Sequence, residues 1–159
     1  MEGGDVIDLI RALVDQRINA WVGGGWAVDA LVGRQTRPHH DLDLAVDADH
    51  LPSLLELLAG RGFLVTVDWS PSRLELTTPD GRTVDLHPVE LGSDGCGIQQ
   101  GLDGDAFHYA CDGFTTGRID GAVVPCLSAE QQLRFRSGYA PRPVDHHDVA
   151  LLNQLVERS

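Results

Sequence analysis

At 159 residues, with 42% hydrophobic and 23% charged side chains, the chain has the size and composition of one ordinary globular domain that needs no disulfide staples. A formal net charge of -12 argues against nucleic acid and anionic membranes as partners; an acidic surface attracts cations instead, whether metal ions or amine-bearing small molecules. Cys96, Cys111 and Cys126 are odd in number and lack C-x-x-C spacing, so neither a disulfide framework nor a zinc knuckle is expected, and a cytoplasmic location is.

The acidic start, M-E-G-G-D-V-I-D, has no signal-peptide character, and no apolar run approaches the ~20 residues of a membrane span. Val6, Leu9, Ile10, Leu13 and Val14 recur at helical spacing over 5–16, with Asp5 as N-cap. Ile18 to Val22 reads as a short strand. Gly23-Gly24-Gly25 then leads into a helix from Trp26 to Val32 that Gly33 terminates. After a basic loop, G-R-Q-T-R-P-H-H, the alternation of Asp41 to Val46 predicts a strand. Residues 50–60 form an amphipathic helix on Leu51, Leu54, Leu55 and Leu58, and Phe63 to Val67 a further strand. Arg73–Thr78 and Arg82–Pro88 flank a P-D-G turn and predict a hairpin. The glycine-rich stretch 92–121 should hold loops with short strands. Ser128-Ala129-Glu130-Gln131 is a capping box opening a helix that Gly138 ends. Pro141 and Pro143 break the chain. A last helix begins near Asp145, burying Val149, Leu152 and Val156.

The chemistry concentrates between Gly23 and Val46. Glycines at a strand-to-helix turn let the backbone approach a ligand closely, and the helix N-terminus behind them offers unpaired N–H groups to a triphosphate. The Lys-Ser/Thr ending of a Walker A loop is missing, and so is G-x-G-x-x-G. Asp41 and Asp43 lie two apart on a strand, on one face, with Cα atoms ~6.6 Å apart. Hard oxygen ligands so placed suit Mg²⁺, and two such ions can clamp the attacking and leaving oxygens of an in-line displacement. A third carboxylate is needed to complete the metal site or to take up a hydroxyl proton. Asp85, in the alternating run Thr83 to His87, is preferred; Glu75 on the other hairpin arm is the competing candidate. Arg37 and Arg73 are candidate phosphate clamps.

The pairs His39-His40 and His146-His147 suggest a transition-metal site, but neighbouring residues point in different directions and do not chelate. His39 and His40 are therefore expected in loop structure or at phosphate, and Asp145 as a helix cap. Trp21 is expected in the core, with Trp26 and Trp69 divided between core and pocket, where an indole can stack on a base or drug.

With these residues the chain resembles the nucleotidyltransferase superfamily, whose signature is G-G-(W or S), a spacer, D-x-D and a later lone carboxylate. Within it the chain is most similar to the short lincosamide nucleotidyltransferases, with the aminoglycoside 2''-adenylyltransferases next. The resemblance rests on W-V-G-G-G-W-A-V-D (21–29), G-R-Q-T-R-P-H-H-D-L-D (33–43), W-S-P-S-R-L-E-L (69–76) and V-D-L-H-P-V (84–89). It continues in V-P-C-L-S (124–128), Q-L-R-F-R-S-G-Y (132–139) and D-H-H-D-V (145–149).

This resemblance implies an α/β (α+β) polymerase beta-like nucleotidyltransferase fold. A mixed sheet flanked by helices would form one domain over 1–159, with a catalytic core of about 1–125 and a helical tail of about 126–159. It implies Mg²⁺, two ions, and transfer of AMP from ATP to an antibiotic hydroxyl, most readily a lincosamide. It carries Asp41 and Asp43 over as metal ligands, Asp85 as the third carboxylate, and Gly24, Gly25 and Trp26 as the nucleotide-side turn. The rival readings are an aminoglycoside acceptor, a non-catalytic nucleotide-binding relative, and a histidine/aspartate zinc protein. A short core offers a drug only a shallow groove, so a homodimer that completes the pocket is expected.

Overall fold

The computed structural model describes residues 1–138, 140 and 142–158. Helix α1 (Gly3–Asp15) turns Val6, Leu9, Ile10 and Leu13 inward, the stripe an amphipathic helix buries. Asp5 closes its N-terminus from the third helical position, accepting the Glu2 backbone N–H at 3.0 Å. It is therefore not the N-cap; the helix begins earlier, and Glu2 holds that place.

Strand β1 (Ala20–Val22) runs into helix α2 (Gly24–Val32). Gly33 ends α2 in the left-handed region at φ 81, a conformation that costs other residues a Cβ clash. Strand β2 (Asp41–Asp47) continues through a short 3-10 turn (Ala48–His50) into helix α3 (Leu51–Gly60). The strands β3 (Leu64–Trp69), β4 (Arg73–Thr77) and β5 (Thr83–Leu91) follow as antiparallel neighbours. The glycine-rich segment resolves into β6 (Gly97–Gln100), β7 (Ala106–Tyr109) and β8 (Phe114–Ile119), leading to β9 (Ala122–Leu127). Helices α4 (Ala129–Arg136) and α5 (Pro143–Val156) close the chain.

The sheet order is β3-β4-β5-β2-β1-β9-β8, with the β6–β7 hairpin hung from the far end of β5. It is mixed: β2 pairs parallel with β5 and β1 with β9, while the other neighbours are antiparallel. Leu42, Leu44, Leu74, Leu76, Val84 and Leu86 meet Leu54 and Leu58 of α3 and the buried stripe of α1 in the main core. Because strand side chains alternate, the residues between those leucines lie on the opposite face. There Ala45, Val89, Tyr109 and Leu127 form a second, smaller apolar cluster, with Trp21, Phe114 and Phe135 packed around it. Leu152 of α5 packs on Val28 of α2 and Ala129 of α4.

Several expectations from sequence change here. Cys96 and Cys111 are joined in a disulfide. The β6–β7 register sets Gly97 opposite Tyr109 and so brings the flanking cysteines together, a pairing that no spacing motif announces. The cysteine count therefore carries no information on compartment; among the described residues no helix is long and apolar enough to cross a membrane. Pro143 opens α5 rather than breaking the chain, as proline's fixed φ suits a first helical turn; Pro141 lies outside the described residues. Helix α4 ends at Arg136 with Ser137 as its C-cap, and Gly138 follows directly. Val156 is 37% exposed, because α5 meets its neighbours through Leu152 and the buried Asp148 instead. Trp21 is only half-buried, against Phe114 at 4.5 Å between ring centroids. Strand β9 lies between β1 and the edge strand β8.

Candidate active site

Parallel pairing of β2 with β5 sets Asp43 opposite Asp85, and antiparallel pairing of β4 with β5 sets Glu75 opposite Asp85. Three carboxylates thus stand in a row across neighbouring strands, on the face turned away from the main core. Ligand-capable atoms of Asp43, Asp85 and His87 all lie within 4.8 Å of one another. Two carboxylates at that separation repel by roughly 3 kcal/mol at an effective dielectric of about 20, so the site favours a counter-cation.

Asp41 stands at the exposed start of β2, outside that trio. Its pKa is nevertheless raised, by partial desolvation first and then by the fields of Asp43 and Asp85. Asp43 behaves oppositely. Burial works against its charge, but the hydrogen bond and field of His87, with the fields of Arg136 and Arg73, prevail and lower its pKa.

Arg73 sits differently from the expected phosphate clamp. Its Nε and Nη2 grip Asp85 at 2.7 and 2.6 Å, and Nη2 also reaches Glu75 at 3.3 Å. The guanidinium lies over the Trp69 ring, 5.2 Å from its centroid, while that indole is 47% exposed. Arg73 therefore fixes the third carboxylate. Each Asp85 oxygen keeps a second lone-pair direction beyond the one that Arg73 uses. Glu75 lies one strand further out, bound to Thr66 at 3.0 Å, and takes no part in the close trio.

The glycine turn is tied to the same place. Gly23 N–H donates to the Asp43 carbonyl at 2.8 Å, locking the start of α2 onto β2. At Gly24, φ is +55 and any Cβ would overlap the Asp43 carboxylate; at Gly25, a Cβ would overlap Arg37 Nη2 and His39 Nδ1. The absence of side chains at these two positions lets Asp43, Arg37 and His39 close directly on the backbone of a helix N-terminus, a glycine cradle whose N–H groups face this place. Trp26 contributes only its backbone, since its indole is 1% exposed in the main core.

Behind the cradle runs a buried polar brace. Asp29 of α2 takes His39 Nε2 at 2.5 Å, Thr36 Oγ1 at 2.5 Å and Thr36 N–H at 3.0 Å. The His39 ring packs at a tilt against Trp26, 4.5 Å between centroids, leaving Nδ1 as its edge toward Gly25. Asp148 of α5, fully buried, accepts Arg37 Nε and Nη2 at 3.0 and 2.9 Å and Arg136 Nη2 at 3.1 Å. Arg37 also donates from Nη1 to the Pro38 carbonyl at 3.2 Å, so one proton remains on each terminal nitrogen. Arg136 Nε is buried with no hydrogen-bond partner among the described residues. Among the described residues neither histidine pair joins a cluster of close ligand-capable groups: His147 Nε2 meets Thr36 Oγ1 at 3.1 Å, and Asp145 caps α5 through the Arg142 backbone N–H at 2.8 Å. Asp29, His87, Arg136 and Asp148 belong to the site and were not singled out from sequence.

Divalent cation and triphosphate both fit this arrangement. The carboxylate row supplies hard oxygen donors, the glycine backbone at the start of α2 lies directly against Asp43, Arg37 and His39, and Arg136 Nε is buried with no partner among the described residues. A mixed sheet carrying two aspartates on one strand and a third on its parallel neighbour, beside a glycine turn into a helix, defines a nucleotidyltransferase. Comparison with known proteins agrees. The profile of the aminoglycoside-2''-adenylyltransferase family matches residues 5–152. A lincosamide resistance protein from Staphylococcus haemolyticus is 34% identical over 151 residues, 95% of this chain and 92% of that one. A 2''-aminoglycoside nucleotidyltransferase from Escherichia coli is 29% identical, over 85% of this chain and 96% of its own. The crystal structure of the lincosamide antibiotic adenylyltransferase LnuA, lincomycin-bound, superposes with a TM-score of 0.87 at 32% identity, covering 98% of both chains. The chain belongs to the aminoglycoside-2''-adenylyltransferase family of antibiotic nucleotidyltransferases.

The Asp148 brace makes a pH-resolved prediction. Desolvation opposes its charge, but the hydrogen bonds and field of Arg37, with Arg136, hold its pKa below the usual range. A depressed carboxyl contributes stability above its unfolded value, about 3.9, and loses it as pH falls through the folded one. Asp148→Ala should cost on the order of 3 kcal/mol in urea unfolding at pH 7, with the gap to wild type narrowing below about pH 4. A gap that widens in acid would contradict the assignment.

Proposed function

We propose that the protein moves AMP from ATP to a hydroxyl group of a lincosamide antibiotic, releasing pyrophosphate and inactivating the drug. The observation that carries this reading is the convergence of Asp43 and Asp85 across paired strands, beside a glycine turn whose backbone lies directly against the Asp43 carboxylate. The acceptor class follows the relative with the greater identity and coverage, a lincosamide resistance protein.

Asp41, Asp43 and Asp85 would hold two Mg²⁺ ions. When bound, these supply charge neutralisation on the triphosphate and a clamp on the attacking and leaving oxygens. The protein's own groups do the rest. Backbone N–H groups at Gly24 and Gly25 seat the phosphates, with the spare Nη protons of Arg37 and the Nδ1 edge of His39 at the rim. Arg73 holds the Asp85 carboxylate still, and Asp85 accepts the proton of the attacking hydroxyl. The new bond joins the antibiotic oxygen to the α-phosphorus, and the bond from that phosphorus to the bridging oxygen breaks. Glu75 is set aside as the base because Arg73 and Thr66 hold it one strand away. Trp69, exposed beside Arg73, offers the acceptor an apolar platform. A cytoplasmic location accords with ATP as donor.

A second reading, an aminoglycoside acceptor, is favoured by the net charge of -12, which suits a polycationic drug. Incubation with ATP and Mg²⁺ and each drug class, followed by mass spectrometry, separates the two. A lincosamide product heavier by one AMP unit is expected, and tobramycin adenylation alone would overturn the acceptor. Asp41→Asn, Asp43→Asn and Asp85→Asn should each lower turnover by at least about 100-fold, the usual scale for general acid–base and electrostatic groups. Full activity in any of them would remove that residue from the mechanism.

A short nucleotidyltransferase core offers a drug only a shallow groove, and a drug-sized ligand prefers a deeper site. A second copy of the chain is proposed to wall it in. Sedimentation equilibrium should then give twice the 17.2 kDa chain mass; a monomer with full activity would refute this.

A further inference from the structure

His87 sits two residues beyond Asp85 on β5, on the same face, opposite the small Ala45 of β2. Its Nε2 lies 3.4 Å from Asp43 Oδ1. On distance alone, His87 could join Asp43 and Asp85 as a third cation ligand. The atoms behind the ring decide otherwise.

Gln99 of β6 places its amide nitrogen 3.0 Å from the Ser72 carbonyl and 3.1 Å from His87 Nδ1. A backbone carbonyl can only accept, so this atom is the NH2 group and not the amide oxygen. Its two protons go to Ser72 and to Nδ1. The amide oxygen accepts the Tyr109 hydroxyl at 2.7 Å, which closes the accounting. Gln99 and Tyr109 are 6% and 4% exposed, so no bulk water competes for these bonds. Nδ1 therefore uses its lone pair to accept, and the neutral ring carries its proton on Nε2, facing Asp43. A second proton on Nδ1 would confront the amide's own N–H. A nitrogen bearing hydrogen has no lone pair for a cation.

We propose that His87 is a positioning residue: the buried Tyr109–Gln99 chain fixes its Nε2–H, which aims the Asp43 carboxylate, and His87 itself ligates no metal. With Oδ1 taken by His87, the other oxygen of Asp43 is the one lying against Gly24, on the nucleotide side. A ligating carboxylate held by a hydrogen bond from behind is pre-oriented, and losing such a partner typically weakens metal affinity ~10- to 100-fold. This account also gives the β6–β7 hairpin a task. It delivers Gln99 and Tyr109 to the rear of the site, and the Cys96–Cys111 disulfide ties its two ends together.

The proposal rests on the reading of Asp43 as a cation ligand, and two measurements keep the two apart. Long-range ¹H–¹⁵N correlation spectra of the wild-type protein without metal should show His87 as the Nε2–H tautomer; an Nδ1–H tautomer would overturn the proposal whatever Asp43 does. Mn²⁺ affinity, followed by electron paramagnetic resonance with α,β-methylene-ATP present, gives the second readout. His87→Ala should weaken it by at least ~10-fold. His87→Gln, which returns an amide N–H to the same place, should restore it to within about threefold. Equal losses in both variants would make His87 a ligand and overturn the proposal, as would no loss in either. Should Asp43→Asn leave Mn²⁺ affinity unchanged, the ligand reading itself falls, and the proposal with it.

Discussion

The parallel pairing of β2 with β5 is the constraint on which the rest of the molecule depends. It sets Asp43 level with Asp85 and Leu44 level with Leu86 in one register. The leucines are sealed in the main core at 0% exposure, so neither strand can slip. A slip of one residue would turn carboxylates into the core and leucines into solvent. The burial of one face thereby fixes the chemistry of the other, without any bond between the acids themselves.

Acidic groups placed this closely need a positive environment, and the chain supplies it entirely with arginine. All 12 of its basic residues are arginines. Three of them surround the site: Arg73 grips Asp85 and Arg37 grips Asp148 in forked geometry, and Arg136 adds a single bond to Asp148. A guanidinium so held is rigid and still keeps protons to spare, which a flexible lysine would not match. The terminal helix α5 is therefore part of the site through Asp148, although it lies far from the carboxylate row in sequence.

The parts visible in sequence are those whose signal is local. Alternation in D-L-D-L and V-D-L-H gave strands with acids on one face, and the glycine run gave the turn, because period and backbone freedom are written in neighbouring residues. The elements between 5 and 90 agree with expectation to within a few residues. What was not visible joins distant segments. Arg37 and Asp148 are 111 positions apart, and Arg73 was read as a free clamp because its partner could not be assigned before the register was known. Asp29 carried a quiet sign, an acid in an otherwise apolar helix, which points to a buried partner; Asp148, directly after two histidines, carried none. His87, Gln99 and Tyr109 gave less, since their relation depends on how a glycine-rich hairpin folds back. The Cys96–Cys111 bridge was missed for the same reason.

The central claim is that the acids of β2 and β5 converge on divalent cations beside the Gly24–Gly25 cradle. Anomalous diffraction from crystals grown with Mn²⁺ and α,β-methylene-ATP tests it most directly. The account predicts an anomalous peak about 2.1 Å from carboxylate oxygens of Asp43 and Asp85, with Asp41 completing the set and phosphate oxygens on the glycine side. A fully occupied nucleotide whose metal sits away from those three side chains would contradict it.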